Sequence, residues 1–322
     1  METGSLFEQP SQFDRRGLRA RLAALAADNI LIGASSWKYE GWIGQIYSRS
    51  RYLTHGRFSR KRFQDECLAE YAETFPIVCG DFTFYQFPSQ DYWCKLFRSA
   101  PETLQFAFKA PEDITVKQFP RHPRYGTRAG DNNASFLDAA LFQNTFLDLL
   151  APYLPRVAVL IFEFGSFAKY CYADVGEFLK ELDPFLALLP RNFRYAVEVR
   201  NPEFLAPEYF ACLRAHGIAH VFNAWTHMPE IATQIAGAGT HSGDAFTTDF
   251  TIARALLRQG RPYEHAVAKF SPYMQVQDPN PETRNALRLL IARARLRHEP
   301  SYIFVNNRLE GNAPETIEAI TA

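Results

Sequence analysis

The stretch RYAVEVR, residues 194–200, decides the architecture. It is short, β-branched and aromatic, and its apolar side chains alternate, which marks a strand with two unlike faces. Val197 and Val199 suit a side covered by helices, so Ala196, Glu198 and Arg200 point together toward the other side. Upstream, Val175, Phe178, Leu179, Leu182, Phe185 and Leu186 recur at helical spacing. Downstream, Pro207 stands where a helix would begin and Gly217 where it would end, as proline and glycine favour. A strand framed by two amphipathic helices is the repeating unit of a parallel α/β sheet.

The unit recurs in both directions. Strand-like runs cover Ile30 to Ala34, Ile77 to Asp81, Leu104 to Lys109, Val157 to Phe162, Ile218 to Asn223, Asp249 to Arg254 and Tyr302 to Asn307, which with Arg194 to Val199 makes eight. Phe63, Cys67, Leu68, Tyr71, Ala72 and Phe75 mark another helix face, and Pro281 and Pro314 open two further helices. Eight strands alternating with helices predict an α/β fold of the (β/α)₈ TIM-barrel type. Residues 30–322 read as a single barrel domain, and residues 1–29 as an N-terminal extension. Within it, the amphipathic segment Arg15 to Ala27 is expected to form an extra helix plugging the barrel's amino-terminal end.

Composition narrows the function classes. Apolar residues at 47% and charged residues at 22% are globular averages, excluding a disordered or fibrous chain. The 35 basic residues balance 35 acidic ones, so no overall field draws the molecule to nucleic acid or an anionic membrane. Cys67, Cys79, Cys94, Cys171 and Cys212 form no CxxC pair and read as reduced, packing thiols. No signal peptide and no run approaching about 18 apolar residues is present, so a cytoplasmic protein without membrane contact is expected.

In a parallel barrel, polar residues near the carboxyl ends of inward-facing strand positions collect at one mouth, where barrel enzymes carry their active sites. Glu198 and Arg200 meet this description. On the third strand Phe106 and Phe108 pack outward, so Lys109 ends that strand facing in. Asp81, Glu163, Asn223, Arg254, Asn306 and Asn307 fall at comparable strand ends. As a site, Glu198 is the candidate general acid or base and Lys109 the electrostatic or proton-transfer group. Arg200 and Arg254 bind an anion, and Trp37, Tyr39 and Tyr85 line the pocket. The competing reading is a salt-bridge layer that closes the top of the core. Glu163 and Glu198 on adjacent strands also allow a glycosidase-like carboxylate pair, and Lys109 a Schiff base.

The histidines, His55, His122, His216, His220, His227, His241, His265 and His298, lie mainly on loops and helices, so no metal site is expected; His227 is the one close enough in sequence to a strand end to reach the mouth. GxGxxG, Walker, HExxH and GxSxG motifs are all missing, so no cofactor is indicated, and a divalent metal lacks supporting ligand spacing. Aromatic groups follow three strands: Trp37, Tyr39 and Trp42; Phe82, Phe84 and Tyr85; and Trp225. Two basic loops also follow strands. Residues 49–62 hold Arg49, Arg51, Arg57, Arg60, Lys61 and Arg62, and residues 111–133 hold Lys117, Arg121, Arg124 and Arg128. They read as a solvated surface or as a rim attracting phosphate.

The string GASSWKYEGW, Gly33 to Trp42, resembles the opening motif of the domain of unknown function 72 family, also called the YecE-like family. TFYQFP (Thr83 to Pro88), FAFKAPEDIT (Phe106 to Thr115), AVEVRNPEF (Ala196 to Phe204) and NNRLEGNAP (Asn306 to Pro314) resemble its later blocks in order. The resemblance spans Ile30 to the C-terminus and implies a (β/α)₈ barrel of no established activity. Lys109, Glu198, Arg200, Arg254, Asn306 and Asn307 keep the family type. Cys79 stands where the family often has glutamate, Asp81 for asparagine, Glu163 for glutamine and Leu256 for histidine. The family's similarity to barrel endonucleases implies a link to nucleic acid, but the His and carboxylate metal set of those enzymes is missing.

Two function classes follow. One is an enzyme, a hydrolase, lyase or isomerase, acting on an anionic ligand such as a phosphorylated sugar or nucleotide. The alternative is a non-catalytic or endonuclease-like nucleic-acid-binding protein that uses the basic loops on the same face. No feature of the sequence specifies an oligomeric state.

Overall fold

A computed structural model describes residues 13–237 and 245–322; residues 1–12 of the extension and His241 lie outside them. Eight strands form the barrel: β1 Ile30–Ala34, β2 Ile77–Gly80, β3 Gln105–Lys109, β4 Val157–Glu163, β5 Tyr195–Glu198, β6 Ala219–Ala224, β7 Thr251–Ala255 and β8 Ser301–Val305. They pair in parallel in the closed order β1-β8-β7-β6-β5-β4-β3-β2, the (β/α)₈ barrel that the alternation predicts. The observed strands fall within about two residues of the expected ones, the usual margin for element ends.

The β1–β2 seam is closed in an unusual way. Ala34 pairs with Val78 in the ladder. Below that pair the Tyr71 hydroxyl enters the sheet, accepting from the Ala34 N–H at 2.8 Å and donating to the Ile77 carbonyl at 2.9 Å. Gly33 makes room for this approach, since a Cβ there would come within 1.9 Å of the Ile77 oxygen.

The inside of the barrel is filled by Ile77, Cys79, Ala107, Val159, Ile161, Ala196, Val221, Ile252 and Phe304, with Phe250 and Tyr302 at the strand starts. Outward residues such as Phe106, Phe108, Phe162, Val197 and Val305 belong to a second core against the helices. The main helices are α1 Arg15–Ala27, α2 Arg60–Tyr71, α3 Gln90–Arg98, α4 Val175–Ala187, α5 Pro207–His216, α6 Tyr263–Phe270, α7 Pro281–Arg297 and α8 Ala313–Thr321. Their ends follow local chemistry. Ser59, Asp174 and Asn280 cap α2, α4 and α7 by accepting from backbone N–H groups, and Gly217 ends α5 at φ +65°.

The extra helix forms where expected but does not plug the barrel. Leu18, Leu22 and Leu25 of α1 are buried in the outer core, not the inner one. Arg15 reaches Glu70 and Glu73 in and just after α2 at 3.4 and 2.9 Å, and Arg21 faces Glu318 of α8 at 3.8 Å. The helix therefore lies across the outer layer, while Phe250 and Tyr302 occupy the lower interior, their rings 6.0 Å apart.

Candidate functional site

Strand alternation builds the mouth from below. Asp81, Lys109, Glu163, Glu198, Asn223, Arg254 and Asn306 each stand two residues beyond a member of the inner apolar cluster, so all seven turn toward the barrel axis. Register then sets their neighbours. Glu163 on β4 is the Cα partner of Glu198 on β5, and Asn223 on β6 that of Arg254 on β7. Two carboxylates at matching positions on adjacent strands would repel, and Arg254 resolves this. Its Nη1 donates to Glu163 Oε2 at 2.6 Å and also to Glu198 Oε2, while Nη2 lies 3.4 Å from Asp81 Oδ1.

Two more cations complete the network. Arg200 Nη2 lies 2.9 Å from Glu163 Oε1 and its Nε 3.3 Å from Glu198 Oε1. Lys109 Nζ lies 3.2 Å from Glu163 Oε2 and 3.5 Å from Asp81 Oδ1. Aromatic faces hold both in place, Trp225 at 3.7 Å from the Arg200 guanidinium and Phe84 at 4.1 Å from the Lys109 ammonium. Three carboxylates thus meet three cations, and the layer carries no formal net charge.

Charge, once paired here, is fixed. Burial pushes the Glu163 carboxyl up, but Arg200, Lys109 and Arg254 outweigh burial and hold it well below the usual carboxylate range. Burial pulls Lys109 down, yet Asp81 and Glu163 outweigh burial and raise it above the ordinary lysine value. Both shifts favour the charged forms of this pair. Glu198, the expected general acid or base, is fully buried, with one oxygen paired to Arg200 and the other to Arg254. Asp81, whose side chain is 29% exposed, is the network's most open carboxylate.

The remaining candidates divide. Tyr39 sits at the rim against Trp42 and Tyr273, ring centroids 4.9 and 5.6 Å away, and burial pushes its hydroxyl up to about 12. Tyr85 is exposed on the loop after β2, under the Arg124 guanidinium at 5.0 Å. Trp37 is buried and opens instead on a side cleft with Leu68 of α2 and Tyr92 of α3. Asn306 accepts from the Arg308 N–H at 3.0 Å, capping the short turn that follows β8. Asn307 faces away from the axis, where its oxygen accepts from Trp42 Nε1 at 3.1 Å and the Ala313 N–H at 2.8 Å. Of the eight histidines, His227 is exposed, and His220 is a buried neutral residue pushed down to about 3 by burial.

Arg308 is the residue that strand alternation misses, because it lies beyond the end of β8 where alternation stops. Its guanidinium lies 4.6 Å from the Tyr263 ring centroid, and it moderates the burial-raised hydroxyls of Tyr39 and Tyr273. Among the described residues its titratable neighbours include the Tyr39 and Tyr273 hydroxyls and no carboxylate pairs with it, and its Nε is buried without a hydrogen-bond partner. Ser35 Oγ, Asn223 Oδ1 and Arg254 Nε, from residues near the ends of β1, β6 and β7, are likewise buried and unpartnered among the described residues. Beside the mouth, a cleft of about 600 Å³ opens between the loops after β3 and β4, lined by Lys117, Phe119, Arg121, Ser166 and Phe167. Ser166 joins cleft to mouth by donating to the Arg200 carbonyl at 2.8 Å.

The basic loops are less available than their composition implies. Arg51, Arg60 and Arg62 pair with Glu73, Glu40 and Glu66, while Lys117, Arg124 and Arg128 pair with Glu181, Glu112 and Asp113. No helix among the described residues is long and apolar enough to cross a membrane.

Fold and mouth together define the chain as a (β/α)₈ barrel with a charge-balanced polar layer at the carboxyl ends of its strands. It belongs to the family described as protein of unknown function DUF72, whose model matches residues 31–322. YecE of Escherichia coli strain K12 is 26% identical over 178 residues, 55% of this chain and 50% of that protein, and YecE of strain O157:H7 gives the same values. The chain spans about half the length of the curated relatives it matches. A DUF72 family crystal structure from Thermotoga maritima superposes with a TM-score of 0.58 at 20% identity, covering 89% of this chain and 96% of that one. One from Enterococcus faecalis V583 gives 0.55 at 14% identity, covering 90% and 95%. At these identities the likeness concerns fold alone.

Proposed function

We propose that the chain is an enzyme of the hydrolase, lyase or isomerase class acting on a small anionic substrate, a phosphorylated sugar or nucleotide, bound at the barrel mouth. The observation that carries this reading is Arg308, a half-buried guanidinium without a carboxylate partner among the described residues, at the rim of a layer whose other charges cancel. An anion gains little from a neutralised network, so the surplus cation selects it. The adjoining cleft has the volume of an ordinary ligand pocket.

In this reading Lys109 and Arg200 act as preorganised charges that stabilise negative charge developing in the transition state, the largest catalytic effect such groups supply. Asp81 is the proton acceptor with access to the substrate, and Glu198 positions the two arginines. The test is isothermal titration of the full chain with inorganic phosphate, hexose phosphates and nucleoside monophosphates, repeated on Arg308→Gln. The expected result is saturable binding of a phosphate compound, weakened about tenfold or more by the substitution, for which 1.4 kcal/mol suffices. Binding that is indifferent to Arg308, or confined to uncharged sugars, would overturn the assignment.

A further inference from the structure

At the opposite end of the molecule, α5 carries Cys212 and His216 four residues apart, one turn along a single helix face. Asp183 reaches across from α4 to meet them. His216 Nε2 lies 2.7 Å from Asp183 Oδ1 and Cys212 Sγ lies 3.6 Å from the same oxygen, and the three ligand atoms all fall within 4.8 Å of one another. We infer that Asp183, Cys212 and His216 form a binding site for a zinc-class divalent cation, with a fourth position open to water.

The donor set specifies the metal. Calcium and magnesium take oxygen ligands, whereas one sulfur, one imidazole nitrogen and one carboxylate suit zinc and its neighbours among the later transition metals. Zinc binds sulfur at about 2.3 Å, nitrogen at about 2.0–2.1 Å and oxygen at about 2.0–2.2 Å, so the edges of a tetrahedral site measure roughly 3.3–3.6 Å. The Cys212–Asp183 separation already matches. The His216–Asp183 separation, a hydrogen bond as it stands, must open by roughly 0.6 Å. Asp183 can provide that movement, because its side chain is 59% exposed whereas that of His216 is 12% exposed.

The backbone beneath His216 is held. Arg191 donates to the His216 carbonyl, and Gly217 ends the helix in the left-handed conformation. Cys212 is a free thiol. On binding, its proton leaves to solvent, the imidazole carries its own proton on Nδ1, and Sγ, Nε2 and a carboxylate oxygen each give a lone pair to the metal. Both helices run from the mouth toward the strand starts, so the site is remote from the proposed active centre and independent of that reading. The metal would clip α4 to α5 across 29 residues of chain.

The experiment adds Co²⁺ to the full chain, reduced and freed of metal, and follows the near-ultraviolet thiolate-to-cobalt charge-transfer absorption. It should saturate at one equivalent, disappear on adding Zn²⁺ and be absent in Cys212→Ser. His216→Ala and Asp183→Asn should each weaken cobalt binding by at least the roughly 10-fold that even an outer partner of a metal ligand is worth. In the wild-type chain, which needs no variant to fold, saturating Zn²⁺ should slow alkylation of Cys212 by iodoacetamide, read by peptide mass spectrometry. No charge-transfer band at one equivalent, a band surviving in Cys212→Ser, or an unchanged alkylation rate would overturn the site.

Discussion

Arg254 is the keystone of the mouth, for among the described residues it alone touches all three carboxylates. Arg254→Met keeps much of the volume but leaves Glu163 and Glu198 buried with less countercharge, and removing one partner of a buried ion pair costs about 3–5 kcal/mol. Urea unfolding should show a loss of that order; a change under about 1 kcal/mol would mean that the carboxylates find other partners or water. The pH dependence follows from the same contacts. Glu163 titrates lower in the folded chain than in the unfolded one, so its contribution is complete above the unfolded value of about 4.3 and is lost as pH falls below it. Lys109 titrates higher when folded, so its contribution is present below about 10.4 and is lost as pH rises past it. Urea midpoints from neutral pH down into the acid range should therefore fall less steeply for Glu163→Gln than for the wild type. Parallel curves would refute the depressed carboxyl.

The β1–β2 seam and α1 show where the sequence was legible and where it was not. Eight strands could be counted because each is a continuous apolar run between helical periods, and their inward and outward positions followed from alternation. Tyr71 was visible only as one of several apolar residues on a helix face; nothing in that spacing indicates that its hydroxyl would stand in for a ladder bond of the neighbouring sheet. The limits of α1 were legible for the same reason as the strands, but a hydrophobic stripe does not say which surface it will meet. Glu198, Arg200 and Lys109 follow from alternation, and Asp81, Glu163 and Arg254 from standing at strand ends; Arg308 lies beyond both signals, and Asn307, placed by the same strand-end signal, turns away from the axis. At this scale Tyr71→Phe should destabilise the fold by about 1–3 kcal/mol, since a buried donor and acceptor both lose their partner. Hydrogen exchange at the Ala34 amide is the direct measurement, and protection equal to wild type would show that the seam closes without the hydroxyl.

Over the whole molecule, 35 basic and 35 acidic residues cancel, and six of the ten basic residues in the two loops, Arg51, Arg60, Arg62, Lys117, Arg124 and Arg128, are engaged in ion pairs. A protein displacing many counterions from a polynucleotide needs cations that are not already engaged. Anisotropy with labelled single-stranded and duplex DNA should accordingly show weak binding whose affinity changes little between about 50 and 200 mM salt, because few phosphates are neutralised. A steep salt slope that flattens in Arg57→Ala with Arg121→Ala would instead restore the nucleic-acid reading. The paired layer at the mouth has a parallel consequence for encounter. Three positive and three negative charges locked side by side present to an approaching molecule a multipole, whose field dies away far more steeply with distance than that of a lone charge. Apart from what Arg308 adds, a ligand of the kind proposed would not be drawn in from afar but recognised on contact, so selectivity at this mouth should be expressed in how long a molecule stays, not in how fast it arrives.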